Sequence, residues 1–359
     1  MSVILVILVV LVVLYIIGFF IARYLFYDDQ ECKENPDLTD KVFVVTGTTG
    51  GLGKETALFL LQHNATVVML NRSLEKSEAV ELELIDKAAA GKVESVVCDL
   101  NDLESVRMAS KTVADHFDHV DCVIANAGVL DGKLLETEQG FEHQYGVNVL
   151  GTFVLVMGLL PSLKKAEKSR VVILSSCASW AATDFDDRTL KESDFKEKNI
   201  KFDVLATYSR TKFALLVLAK EFQRRFSGEN IKFVPCAPGI IYTRLWRTVS
   251  RPMDWLVRYV AGPVLKTIKQ GAQTEIQCAV CPFEELKGGC FYDHCAPAPS
   301  NPSADIMEIA DKIWNSCVRD AGSFVDDKSC LESPRKAEVD SVPLSPFGKS
   351  VWDVCSKLF

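Results

Sequence analysis

The stretch Thr46-Gly47-Thr48-Thr49-Gly50-Gly51-Leu52-Gly53 constrains this chain more than any other. Residues 41–45 lead into it with the β-branched, apolar character of a buried parallel strand. Residues 54–61 lead out of it with apolar side chains at helical spacing. A strand, a glycine turn and a helix in that order let backbone N–H groups approach a pyrophosphate, and the helix N-terminus adds about half a positive charge there. The pattern then repeats. Strands are predicted at 65–70, 93–98, 120–125, 170–174 and 231–236, with a short one at 289–292. Helices are predicted between them at 53–63, 73–90, 101–117, 140–163 and 203–226, then from 270 to the stop at Pro282, and at 302–318. Such alternation predicts an α/β fold with a doubly wound parallel sheet and right-handed crossovers.

Residues 3–22 carry no charge and one Tyr. Twenty residues at about 1.5 Å rise span the roughly 30 Å core of a bilayer. A cleaved signal peptide would want a basic start and a small-residue cleavage site, and Met1-Ser2 and Gly18-Phe19-Phe20-Ile21-Ala22 provide neither. The reading is a retained transmembrane helix. Arg23, Lys33 and Lys41 all follow it, which places the body on the cytoplasmic side. The expected organisation is an anchor at 1–27, a polar linker at 28–40, a dinucleotide-binding domain at 41–320 and a polar, loosely ordered tail at 321–359. A net charge of −8 argues against a nucleic-acid-binding surface. The 12 cysteines suit a reducing compartment. Cys278, Cys281, Cys290, His294 and Cys295 have spacings that can be forced into a zinc site, but plain packing along a helix is the simpler reading, and no metal is expected.

The second predicted strand ends in Asn71-Arg72. An acid at that point would accept from a free ribose 2′-OH, whereas an Arg accommodates a 2′-phosphate, so NADP(H) is favoured over NAD(H). Asn126-Ala127-Gly128 follows a central strand, Ser175-Ser176 follows the next, and Pro238-Gly239 follows the sixth. All three then stand at the carboxyl ends of strands, where ligands bind. Tyr208 and Lys212 share one helical face. An ammonium beside a phenol favours phenolate, and a Tyr so tuned can exchange a proton with a carbonyl or alcohol oxygen.

Taken in order, Thr46-Gly47-x-x-x-Gly51-x-Gly53, Asn126-Ala127-Gly128, Asn148, Ser175-Ser176, Tyr208-x-x-x-Lys212 and Pro238-Gly239-Ile240-Ile241-Tyr242-Thr243 resemble the short-chain dehydrogenase/reductases over residues 38–320. The resemblance implies a Rossmann fold. It makes Tyr208 the acid/base, Ser176 the group that polarises the substrate oxygen, and Lys212 the residue that tunes Tyr208 and holds the ribose. Asn148 would keep a water linking Lys212 to solvent. The cofactor would meet Gly47, Thr48, Gly51, Leu52, Gly53, Arg72, Asp99, Asn126, Ala127, Gly128, Tyr208, Lys212, Pro238, Gly239 and Thr243. The family's alignment prefers Ser176 to Ser175. Ala125 departs from the usual Asn-Asn-Ala-Gly, and 32 residues from Ser176 to Tyr208 is longer than in the simplest members. The insert at 181–205, the membrane span and Lys266-Thr267 before Gln270-Gly271-Ala272-Gln273-Thr274 resemble the retinol dehydrogenase and WW-domain oxidoreductase branch.

The expected activity is hydride transfer between NADP(H) and a lipophilic alcohol or carbonyl of retinoid, steroid or fatty-aldehyde type, at the endoplasmic reticulum membrane. Residues 240–266 carry the apolar substrate side, with Arg244, Arg247, Arg251 and Arg258 interleaved as on an interfacial helix. The alternatives are a cofactor-binding scaffold without catalysis, or a nucleotide-sugar epimerase or dehydratase. Many family members pair through the helices that hold Asn148 and Tyr208, which leaves a homodimer open.

Overall fold

The computed structural model describes residues 3–27, 31–88, 90–182, 184–185, 191, 201–226, 228, 230–241, 265–339 and 341–344. Thr243, most of the insert at 181–205, the interleaved arginines at 244–258 and residues 345–359 lie outside them.

Eight strands form one sheet: β1 (Val42–Thr46), β2 (Thr66–Asn71), β3 (Lys92–Val97), β4 (Cys122–Ala125), β5 (Ser169–Leu174), β6 (Ile231–Cys236), β7 (Phe291–Asp293) and β8 (Ala296–Ala298). Their order is β3-β2-β1-β4-β5-β6-β7-β8. Every pairing from β3 across to β7 is parallel, and only β8 runs antiparallel, against β7. β8 was not expected; it follows a tight reversal in which His294 and Cys295 both have positive φ. The chain order reverses between β1 and β4, and the crevice at that switch point is where ligands of such folds sit. β1 and β4 are buried along their whole length, as strands covered on both faces must be.

Helices α2 (Gly51–Gln62), α3 (Leu74–Ala88) and α7 (Ile268–Val280) cover one face, with Leu60, Leu84 and Ile276 packed under them. α4 (Leu103–His116), α5 (Thr152–Lys165) and α6 (Val204–Phe226) cover the other, with Val106, Phe153 and Phe213 inside. Thr267 and Gln270 cap α7 reciprocally, which fixes its start two residues before the expected point. Cys278, Cys281 and Cys290 are buried thiols, and no group of metal-ligating side chains forms among the described residues.

Two expectations need correction. Part of the linker is not a free connector: Leu38 is buried and its N–H donates to His63 O, while Cys32 N donates to the Gln273 side chain. Nor is the tail loose over its described length. α8 (Met307–Ala321) lays Trp314 against Phe153 and Phe222, with ring centroids 5.5 and 5.6 Å apart, and the Arg225 guanidinium lies 4.1 Å from the Trp314 ring centre. Trp314 Nε1 donates to Leu331 O. Arg335 reaches the buried Glu221 carboxylate, and Ser341 accepts from the buried Lys220. The cause is the inventory of α6, whose Lys220, Glu221 and Arg224 are all buried and need partners. The outer face of α5 and α6, which the resemblance offered as a pairing surface, is therefore covered by this chain's own C-terminal segment.

α1 (Val3–Tyr27) is a helix whose described side chains are exposed and apolar from Val6 to Ile21, save Gly18 and the half-buried Phe19. Among the described residues the helix that meets length and hydropathy criteria for a membrane span is 145–165, but it is 89% buried and belongs to the core.

Trp314→Ala should cost about 3–5 kcal/mol by leaving a cavity between Phe153 and Phe222. Urea unfolding should show a lower midpoint at an unchanged slope; a wild-type midpoint would mean that α8 is not part of the folded unit.

Candidate active site

The glycine turn is built by close approach. Gly47 and Gly51 hold φ of 74° and 61°, where a side chain would strain the backbone. A Cβ on Gly53 would lie 2.5 Å from Asn126 Nδ2 and 2.7 Å from Gly47 O, so only glycine lets α2 start this close to the end of β4. A Cβ on Gly51 would meet open space. Asn126 Nδ2 donates to Thr46 O at 2.8 Å, and Ala127 N donates to Thr46 Oγ1 at 2.9 Å. Thr48 does not face the cleft as expected. It is buried, its N–H donates to Asn71 Oδ1 and its Oγ1 accepts from Asn71 Nδ2. Thr49 lines the cleft instead. Asn71 thus braces the turn from the end of β2; its signal in the sequence is a polar amide closing a wholly apolar strand.

Asn148 sits in a π-helical turn, Tyr145–Gly151, ahead of α5. The wider turn leaves its side chain to bond outside the helix, as π-bulges at functional sites do. Its Oδ1 accepts from Val129 N at 2.7 Å, and its Nδ2 donates to Val129 O and to Thr211 Oγ1. From α6, Lys212 reaches the same place. It is 4% exposed, and its Nζ donates to Leu174 O at 2.8 Å. A Cβ on Gly128 would stand 3.2 Å from Asn148 Oδ1 and 3.4 Å from Lys212 Nζ.

Burial pulls the Lys212 pKa down to about 8, so the ammonium is still mostly charged at neutral pH. Burial also drives Tyr208 well above its ordinary value, and a hydrogen bond with Ser176 opposes that only in part. The expected lowering by Lys212 is not what this structure gives. The ammonium is 5.7 Å from the ring centre, and desolvation of the phenolate outweighs it. Ser175 Oγ donates to Lys212 O at 2.7 Å and ties β5 to α6, while Ser176 Oγ accepts from Ala178 N and lines the same cavity as Tyr208.

Two cavities open from this centre. The larger, about 490 Å³, carries Ser176, Tyr208, Lys212, Pro238 and Gly239 among apolar walls that include Leu52, Leu130, Trp180 and Ile241. Leu52, expected against the cofactor, thus lines the same space as Tyr208. The smaller, about 280 Å³, runs past Gly47, Thr49 and Ala127 to Asp99, Arg72 and Lys76. Gly128 lines both, so they adjoin at the backbone where Asn148 and Lys212 meet. Sequence reasoning missed Lys76 and His143, which also line the smaller cavity. Lys76 stands one helical turn beyond Arg72, a spacing that would have found it.

A cleft at the switch point, floored by glycines that keep Cβ atoms out, fits an elongated dinucleotide. That fold and cleft define the α/β dinucleotide-dependent enzymes. Residues 41–184 match the short chain dehydrogenase family. Over 289 residues the chain is 33% identical to human retinol dehydrogenase 11, covering 80% of this chain and 87% of that protein. Over 298 residues it is 31% identical to human retinol dehydrogenase 13, covering 81% and 87%. An uncharacterized protein from Mycobacterium paratuberculosis shares the fold at a TM-score of 0.64 and 27% identity, covering 82% of this chain and 98% of that one. The chain belongs to the short-chain dehydrogenase/reductase family, in its retinol dehydrogenase branch, and is a dehydrogenase/reductase that uses a nicotinamide cofactor.

Gly53→Ala should force Asn126 and the Gly47 carbonyl apart, costing about 1–3 kcal/mol in stability. Nucleotide affinity, read by fluorescence titration on folded protein, should fall at least about tenfold. Unchanged affinity would show that the turn does not contact the nucleotide.

Proposed function

We propose that the chain is a membrane-anchored oxidoreductase moving a hydride between NADP(H) and the carbonyl carbon of a lipophilic substrate of retinoid, steroid or fatty-aldehyde type. The observation that carries the reading is that Ser176 and Tyr208 line one apolar cavity, which adjoins the nucleotide cleft at Gly128. About 490 Å³ is ample for one small ligand.

The nicotinamide, when bound, supplies or accepts the hydride. Tyr208 gives a proton to the substrate oxygen during reduction and takes it back during oxidation. Its raised pKa keeps it protonated and ready to donate. Ser176 donates to the same oxygen and holds it beside the phenol. Lys212, buried and fixed by Leu174 O, keeps a cation next to the phenolate that forms. Asn148 spaces Lys212 from the Val129 backbone and leaves room for a water that carries the proton outward.

Arg72 and Lys76 are exposed at the smaller cavity, beside Asn71 where an acid would otherwise refuse a 2′-phosphate. They support NADP(H). α1 supports the anchor: 25 residues make about 37 Å of helix, more than a bilayer core, with basic residues only on the far side. The retinol dehydrogenases 11 and 13 support the substrate class. The charge asymmetry supports a body on the cytoplasmic side, at the endoplasmic reticulum membrane in this reading.

Tyr208→Phe should lower kcat for retinal or a long-chain aldehyde by about 10²–10⁴ while NADPH binding holds. Hydride transfer at the wild-type rate would refute the role. Arg72→Ala combined with Lys76→Ala should weaken NADPH by about 10–100-fold, the loss of two charge-assisted contacts, and leave NADH within a few fold. Equal losses for both nucleotides would count against a 2′-phosphate site.

A further inference from the structure

The mechanism above does not use His143. Its Nδ1 lies 2.6 Å from Asp131 Oδ2, and both side chains are only 15% exposed. The backbone beneath is equally fixed, since His143 N donates to Leu135 O and Glu136 bridges Glu142 across a short antiparallel turn. Glu138 N and the Gln139 side chain tie the same loop to Asn101, Asp102 and Leu103. The ring is therefore aimed, and it is aimed into the smaller cavity.

In the tautomer whose Nδ1–H donates to the Asp131 carboxylate, Nε2 presents a lone pair as acceptor. Nε2 has no hydrogen-bond partner among the described residues. The walls around it favour a flat apolar face: Leu100 and Val147 are both buried and line the same cavity, whereas the cations Arg72 and Lys76 come from the end of β2 and from α3. A phosphate belongs with the cations; a base belongs between Leu100 and Val147.

We propose that His143, held by Asp131, reads the base of the dinucleotide, its Nε2 accepting from the exocyclic amine of adenine. A purine with an oxo group at that position offers an acceptor to an acceptor and is refused. This rests on the cofactor reading above and adds a specificity residue to it.

The test is a fluorescence titration of the full chain in detergent with NADPH and with its hypoxanthine analogue, in which an oxo group replaces the amine and N1 carries a proton. Wild type should prefer NADPH by about tenfold, one hydrogen bond lost and one acceptor left facing another. His143→Phe should reduce that preference below about twofold without weakening the hypoxanthine analogue. His143→Gln, whose amide oxygen can reach the Nε2 position, should keep most of it. If the Phe variant does not fold, Asp131→Ala, which frees the ring, should lower the preference severalfold. Equal binding of the two nucleotides by wild type overturns the inference and leaves the cofactor reading standing. So does full preference in His143→Phe, which would give the amine to Asp99. Failure of wild type to bind either nucleotide overturns both.

Discussion

One buried amine sets the terms for the rest of the molecule. Lys212 is desolvated, and on the reading proposed above it holds a charge beside a phenol, with its Nζ donating to a backbone carbonyl. Four elements have to meet for that: β5 supplies Leu174 O, α6 supplies the lysine, the π turn supplies Asn148 and the segment after β4 supplies Gly128. A displacement of about an ångström in any of them would leave the amine either uncharged or exposed. The parallel sheet is the frame that makes this tolerance attainable, because neighbouring strands fix the positions of their carboxyl ends against each other.

The same requirement explains why α5 and α6 are so thoroughly enclosed. A helix that must not shift is packed on every side, so α6 is apolar toward the sheet and is covered outside as well. The cover is α8 with its Trp314, and the residues that follow it. The buried Glu221 then sits among Arg224, Arg225 and Arg335, and Lys220 between Asp305 and Ser341. Buried ions of this kind are costly unless fully paired, so they fix the path of the C-terminal segment more than they add stability.

What was readable in advance follows a physical line. Parallel strands announce themselves by unbroken β-branched runs, and β1, β2, β4, β5 and β6 fall within a residue or two of expectation. Glycines that keep a turn open were equally plain. Four features were not. The π turn at Tyr145–Gly151 has ordinary helical composition, and its extra residue per turn is set by Asn148 bonding sideways to Val129. β8 is three residues long, with no periodicity to detect. Docking of the tail depends on charges of α6 whose burial no linear pattern reveals. The Tyr208 pKa was misjudged because spacing shows which charge is near but not how much water is gone.

The two cavities differ in chemistry because different strand ends make them. β1, β2 and β3 end in Gly47, Asn71-Arg72 and Asp99, polar and open, which suits a charged nucleotide. β5 and β6 end beside Trp180, Ile240 and Ile241, which suit an apolar chain. Among the described residues only Gly128 belongs to both, and it is the residue without a side chain at the place where Asn148 and Lys212 close in. A ligand part that is apolar gains roughly 25 cal/mol for each Å² it buries in the larger cavity and gains little in the smaller, while a phosphate gains in the smaller alone. Each part of the reacting pair is therefore sorted to its own side by solvation before any specific contact forms. On the reading proposed above, the reacting carbon belongs at the glycine boundary, beside the Ser176 and Tyr208 hydroxyls.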